Sequence, residues 1–339
     1  MIPIALDAMG SDRHPRPDVE GGLAAAREYG VEVLLVGNES ALRPVLDELR
    51  PGSASVRIVH APDVLTMEDK GLALALKAKR KEARNSMAVG IDLVRSGEAQ
   101  AFVTAGNTGA AAAVAYFRMG TLPGVERPAL APVFPTKRGS CVVLDIGANP
   151  DCKPENLVQF AIMGSIYAER VRGVPQPRVG LLSNGEEAGK GNQLIKDTYP
   201  LLAASGLNFV GNLEPKELIG GEADVVVTDG FSGNILLKSS EAVAKLILEL
   251  MRERIQAAPL WVKLGGLLVK PTLGGIRKML DPTEEGAAPL LGVDGLVFIG
   301  HGRSDAYAVK NAVRVARLAI EAGVLEALRR GIAAAALAA

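Results

Sequence analysis

Short apolar runs and longer helical patterns alternate along this chain. Nine runs stand out: IPIALD at 2–7, VEVLLVG at 31–37, SVRIVH at 55–60, QAFVTAG at 100–106, CVVLDIG at 141–147, RVGLLSNG at 178–185, LNFVGN at 207–212, ADVVVTDG at 223–230 and GLVFIGHG at 295–302. They are continuous rather than alternating, as in strands buried on both faces. Strands that alternate with helices predict parallel βαβ units, an α/β fold with helices layered on a mostly parallel sheet. No fixed-period repeat and no long linker interrupts the pattern, so the sheet is expected to run the length of the chain, divisible into two lobes with a cleft.

Ligands of open parallel sheets bind beyond the carboxyl ends of the strands. The informative residues are therefore those just after each run: Asp7, Gly10 and Asp12; Thr104 to Thr108; Asp145, Asn149 and Asp151; Asn184 to Asn192; Asp229 to Asn234; His301 to Asp305. Topology predicts that they converge on one rim.

These loops fail the familiar phosphate and nucleotide motifs. GEEAGKG has three residues between its glycines and a glycine after the lysine, where a Walker A loop needs four and a Ser or Thr. No GxGxxG follows a strand, and GFSGN is one residue short of a GxSxG elbow. AGNTGAAAAV at 105–114 leads two glycines and a threonine into an alanine-rich helix, and GFSGNILLKSSEAV at 230–243 has the same build. Free backbone N–H groups at a helix start bind anions, though Gly and Asn also simply cap and turn. Lys190, set between glycines, is either a cation with little bulk to screen it from a small anion or a mobile surface lysine. His301 in GHGRSD is either a hydrogen-bond donor to a reacting oxygen or an ordinary turn histidine.

The 339 residues and 48% hydrophobic content suit one large α/β domain or two ordinary ones. Net charge is zero and aromatics are 4%, which argues against a nucleic-acid surface and leaves any charged partner to local patches. Two cysteines and three scattered histidines form no zinc spacing, and Cys141 reads as a buried small hydrophobe. No signal peptide or membrane span is legible, so an intracellular, cytoplasmic protein is expected. Residues 70–84, KGLALALKAKRKEAR, carry six cations against one acid: a solvated helix face or a dock for an acidic partner. Residues 254–280 contain no acid, and Lys263, Lys270 and Arg277 recur every seven residues among Leu260, Trp261, Leu264, Leu267 and Leu268. Pro271 and two Gly-Gly pairs are expected to break this stretch into short helices. It suits either a partner-helix or dimer contact or an amphipathic face lying on an anionic membrane.

Taken together, IALDAMGSD, VTAGNTGA, RPALAP, LDIGANPDCKPENLVQFAIMG, GEEAGKGN, DVVVTDGFSGNILLKSSE and APLLGVDGLVFIGHGRSDAYAVKNAV resemble the bacterial phosphate acyltransferases of phospholipid synthesis, the PlsX family, over almost the whole chain. MGSDRHP, KEARNSM, SNGEE and GAAPLLG depart from the family pattern. The resemblance implies a three-layer α/β/α Rossmann-like fold similar to isocitrate and isopropylmalate dehydrogenases and to phosphotransacetylases, in a single catalytic domain over 1–335. It implies transfer of a fatty acyl group from acyl carrier protein to inorganic phosphate, a homodimer, no cofactor or metal, and a downstream glycerol-3-phosphate acyltransferase. By match to the family motifs, Lys190 and Asn234 are catalytic with Asn192, Asp229 and His301 beside them, and Asn107, Thr108 and Gly109 take phosphate. Lys77, Lys79, Arg80, Lys81 and Arg84 then become the carrier-protein dock, and Leu260, Trp261, Leu264, Leu267 and Leu268 the membrane contact. The alternatives are a coenzyme A phosphotransacetylase, a metal-dependent hydroxyacid dehydrogenase on the same fold, and a non-catalytic membrane scaffold acting through 254–280.

Overall fold

A computed structural model describes residues 1–65, 69 and 83–338 of the chain. All nine apolar runs form strands, but in two sheets rather than one. The seven-stranded sheet has the order β3 (Val56–His60), β2 (Glu32–Gly37), β1 (Pro3–Asp7), β4 (Ala101–Thr104), β12 (Val297–Gly300), β11 (Ala287–Leu291), β5 (Ala129–Leu130). The five-stranded sheet has the order β6 (Val133–Thr136), β7 (Gly139–Leu144), β10 (Val225–Val227), β8 (Val179–Leu182), β9 (Phe209–Leu213). Pairs within the nine runs are parallel, and β5, β6 and β11 add the antiparallel pairs. Those three are absent from the apolar pattern because prolines punctuate their stretch: Pro128 and Pro132 bound β5, and Pro135 in β6 and Pro289 in β11 each remove a ladder donor.

The chain crosses between the sheets at Ala131–Pro132, between β5 and β6. Both residues still bond: the Ala131 N–H donates to Pro289 O at 3.0 Å, and Pro132 O accepts from the Val143 N–H at 3.0 Å. The short crossing ties the two sheets together. Helices cover both: α1 (Arg16–Tyr29), α2 (Glu39–Glu48), α3 (Ser86–Arg95), α4 (Thr108–Met119), α5 (Pro154–Arg172), α6 (Gln193–Ala204), α7 (Pro215–Gly220), α8 (Gly230–Ala257), α9 (Leu260–Met279), α10 (Ala306–Glu321) and α11 (Val324–Ala338). Asn or Asp caps the starts that follow strand ends, at Asn107, Asn192, Asp229 and Asp305, each accepting a first-turn N–H. The cap residue is thus also the first residue past its strand or loop, at the rim where a ligand would bind. Packing beneath the rim is dense: Phe102, Phe160, Tyr167 and Phe298 are all under 2% exposed, and Cys141 is fully buried as a small hydrophobe.

Residues 254–280 do not form short helices. The break falls at Ala258–Pro259, between α8 and a continuous α9 that passes through Pro271 and both Gly-Gly pairs. A single proline removes one backbone bond and tolerates a helix that bends, whereas Ala258, extended at ψ 161, leaves the helical region outright. The pair makes a long hairpin whose faces carry exposed Val243, Leu246, Ile247, Leu250, Leu260, Trp261, Leu264 and Leu268. No helix among the described residues is long and apolar enough to cross a membrane.

Candidate active site

The carboxyl ends of three adjoining strands of the five-stranded sheet build most of the site. β10 lies between β7 and β8, so the turn after β7, the start of α8 and the glycine loop after β8 emerge side by side.

The turn after β7 is organised by Asp145, which is fully buried. Its Oδ1 accepts from the N–H of Leu130 (3.0 Å), Ile146 (2.7 Å) and Ala148 (3.2 Å), and its Oδ2 from Asn149 N (2.6 Å) and Nδ2 (3.0 Å). Burial pushes this carboxyl above its ordinary range while the hydrogen bonds from Leu130, Ala148 and Asn149 pull the other way. Asn149 also donates to Pro128 O at 2.6 Å and accepts the Gly230 N–H at 2.8 Å, so the turn is clamped to the start of α8.

α8 starts under Asp229, whose two carboxylate oxygens accept from Ser232 N and Oγ at 2.8 Å each. A Cβ at Gly230 would lie 2.7 Å from Asn149 O and Asp145 Oδ2; one at Gly233 would lie 2.0 Å from Asp145 O. These glycines admit the turn. At the α8 start the amides of Gly230, Ser232 and Gly233 are engaged within the protein. What faces outward is the exposed Asn234, its carboxamide carbon 3.8 Å from the Cβ position of Gly147.

The loop after β8 holds Lys190. The Lys190 N–H closes a turn on Glu187 O at 2.9 Å, and the stem of the side chain lies over Gly185, where a Cβ would meet Lys190 Cγ at 2.8 Å. Asn184 Oδ1 accepts the Gly191 N–H at 3.0 Å, and Asn212 Nδ2 donates to Glu187 O at 2.8 Å. From behind, Lys216 pairs with Glu186, Glu214 and Glu217 at 3.0–3.2 Å. Those three acids lie close enough to hold a cation, and the Lys216 ammonium already stands among them. Glu186 is thereby assigned to bracing the loop, and Lys190 itself stays exposed. Asn192 caps α6, its Oδ1 accepting Ile195 N at 3.1 Å.

The seven-stranded sheet contributes the opposite side. β12 and β4 are parallel neighbours with Ile299 opposite Thr104, so His301 and Asn107 leave adjacent strand ends. Asn107 caps α4 through Ala110 N at 3.0 Å and donates to Asp69 O at 3.2 Å, while Thr108 and Gly109 are exposed. His301 meets α8, which follows a strand of the other sheet: its Nε2 lies 3.9 Å from Glu241 Oε1. Burial, together with Lys238 and Arg303, pushes its pKa below the ordinary imidazole value, and Glu241 opposes them. Behind this rim Asp7 and Asp18 are buried carboxyls. Thr104 Oγ1 donates to Asp7 at 2.7 Å and Ser11 Oγ to Asp18 at 2.6 Å, while Asp18 Oδ1 has no hydrogen-bond partner. Burial pushes Asp18 up to about 7.

The structure thus groups Asn234 and Asp229 with the 145–149 turn, sets Lys190 and Asn192 on the next strand exit, and brings His301 onto α8. The residues proposed to touch membrane are elsewhere: Asn234 and the far end of α8 are separated by about 35 Å at 1.5 Å per residue. Among them the side chain of Leu267 lies outside the described residues, as do Lys77, Lys79, Arg80 and Lys81 of the basic run, while Arg84 is exposed. Sequence reading missed Lys238 and Glu241, although their spacing of four and seven from Asn234 on one helix was the available signal.

A family model described as "Fatty acid synthesis protein" matches residues 2–327. The chain is 47% identical to a phosphate acyltransferase of Pelotomaculum thermopropionicum, over 97% of this chain and 94% of that one. It is 48% identical to a phosphate acyltransferase of Thermus thermophilus, over 98% of both. Among solved structures, a phosphotransacetylase from Streptococcus pyogenes superposes with a TM-score of 0.60 over 94% of each chain at 17% identity, a likeness of fold.

Proposed function

The chain belongs to the fatty acid synthesis protein family and is a phosphate acyltransferase, and from that premise we propose that it moves a fatty acyl group from acyl carrier protein to inorganic phosphate, for phospholipid synthesis. The observation that carries the reading is the exposed Lys190 and Asn234 at the exits of strands β8 and β10, which adjoin in one sheet. Phosphate is itself the nucleophile, so no cysteine is needed as one; Cys152 donates to Asn149 O at 3.5 Å, and burial pushes its thiol up to about 12, in keeping with a structural role.

A phosphate oxygen adds to the thioester carbonyl, forming the C–O bond and a tetrahedral oxyanion. Collapse breaks the C–S bond and releases acyl phosphate and the carrier thiolate, which takes its proton from solvent; a free thiol near 8.5 leaves without a strong acid. Lys190 steers phosphate and holds the oxyanion together with Asn234, one oxyanion donor being worth roughly 3–4 kcal/mol. The exposed amides of Thr108 and Gly109, under the Asn107 cap, take the phosphate oxygens, and holding the two reactants in line contributes about 7–11 kcal/mol at best. Asn192 and Asp229 act through the loop and helix they cap, and His301 donates to the reacting oxygens.

The catalytic unit spans 1–335, works in the cytoplasm and needs no cofactor. The exposed apolar face of α8 pairs in a homodimer, and Leu260, Trp261, Leu264, Leu267 and Leu268 of α9 rest on anionic membrane, where a glycerol-3-phosphate acyltransferase consumes the product. Lys77, Lys79, Arg80, Lys81 and Arg84 receive the acidic carrier. Thiol release from palmitoyl-acyl carrier protein, read with and without phosphate, tests the donor: phosphate-dependent release is expected, and turnover of acetyl-coenzyme A alone would transfer the chain to the phosphotransacetylase reading. Changing Lys77, Lys79 and Arg80 to Glu is expected to raise the KM for carrier at least tenfold through lost charge complementarity, and an unchanged KM rejects that surface.

A further inference from the structure

α8 carries chemistry past its first turn. Lys238 follows Asn234 by four residues and Glu241 by seven, so the three share one helix face, about 6 and 10 Å along the axis from Asn234. That face meets the carboxyl end of β12. Lys238 Nζ lies 3.3 Å from Glu241 Oε2, and the other oxygen of the same carboxylate lies 3.9 Å from His301 Nε2. One acid therefore stands between a lysine of its own helix and an imidazole from the other sheet.

An i,i+3 ion pair on an exposed helix is commonplace and worth little. Three features separate this pair from that background. Glu241 is the better buried partner, its side chain 25% exposed against 59% for Lys238, so the acid is fixed and the ammonium is free to swing. The 3.9 Å gap to His301 joins elements that follow strands of the two sheets rather than neighbours on one surface. The charge around the imidazole also does not cancel: Lys238 and Arg303 act on His301 with one sign, and Glu241 alone with the other. A lysine stem spans one helical turn, so the ammonium can leave Glu241 for the Asn234 end of the face.

We propose that Lys238 is a second cation for the phosphate and that Glu241 is the positioning residue that parks its ammonium and steadies the His301 ring until the anion arrives. This rests on the reading that transfer to phosphate occurs at Asn234. A small anion suits the position better than the phosphodiester of a carrier's prosthetic arm. That group is many bonds from the thioester and does not fit one helical turn from the reacting carbonyl.

The test is steady-state kinetics of the full-length enzyme with acyl carrier protein and inorganic phosphate, alongside binding of inorganic phosphate alone by calorimetry. Lys238→Met is expected to raise the KM for phosphate about tenfold, the size of one charge-assisted hydrogen bond at a half-exposed position. The KM for the carrier stays unchanged, and Lys238→Arg recovers most of the loss. Because Glu241 opposes the depression of the His301 pKa, Glu241→Gln moves the acid limb of kcat/KM to lower pH as kcat falls. An unchanged phosphate KM in Lys238→Met overturns the proposal, and a rise confined to the carrier KM assigns Lys238 to the donor instead. If the wild type binds phosphate through Lys238 but turns over no acyl donor, the transfer reading fails while the cation assignment stands.

Discussion

The starts of α4 and α8 look alike in sequence and behave differently. Both follow a strand with a glycine-rich turn and an Asn or Asp cap. At α4 a Cβ on Gly109 would meet nothing nearer than Asn107 Oδ1 at 3.5 Å, and the helix start stays open. At α8 a Cβ on Gly233 would lie 2.0 Å from Asp145 O, and beyond the amides held by the cap, as at α4, the Gly230 N–H is also taken by Asn149 O. One glycine leaves a backbone free for a ligand; the other lets two pieces of backbone touch. At α8 the outward-facing chemistry therefore passes from the amides to the side chains of Asn234 and Lys238.

Gly233→Ala breaks the contrast most severely. The added carbon meets backbone that cannot swing aside, so a loss of about 3 kcal/mol or more in unfolding free energy is expected, with turnover lost; a denaturant midpoint within error of the wild type would show that the 145–149 turn is not clamped as described. Lys190→Ala probes the outward side of the same sheet. It is expected to keep the wild-type midpoint and lose about a hundredfold in kcat, and near-normal turnover would remove Lys190 from the chemistry.

The buried carboxyls beside the two sheets sharpen the comparison. Asp145 has five donors, whereas Asp18 has Ser11 and one oxygen without a partner. With Asp18 raised to about 7, the folded state holds a proton that the unfolded chain releases near pH 4. Stability from this group is complete below that point and is lost as pH rises towards 7. Asp18→Asn should flatten the profile, gaining on the order of 2–4 kcal/mol relative to wild type between pH 4.5 and 8. Parallel profiles from urea unfolding at those two pH values would contradict the burial argument. Gly109→Ala has the smallest expected effect on the fold, about 0.5 kcal/mol or less in favour of the variant. If the α4 amides hold phosphate, the KM for phosphate rises several-fold all the same, and an unchanged KM would leave the open start without a ligand.

Much of this was legible in the sequence because buried parallel strands are continuous apolar runs: every predicted strand formed, whereas the capping of helices by Asn107, Asn192 and Asp229 is what the structure adds. The proline-rich stretch around 128–135 hid β5 and β6, so the split into two sheets was invisible. Pro271 was read as a break because propensity argues locally, while the hairpin turns at Ala258–Pro259. The Glu241–His301 approach joins residues 60 apart, and no spacing rule encodes a contact between elements of two sheets.

The most direct test of the account is acyl phosphate itself. Purified protein, palmitoyl-acyl carrier protein and increasing inorganic phosphate are incubated, and the product is trapped as the hydroxamate. Hydroxamate that rises with phosphate and saturates, matched by released carrier thiol, is the predicted result. Thiol release that is indifferent to phosphate, with no hydroxamate from a folded protein, would contradict transfer to phosphate at this site.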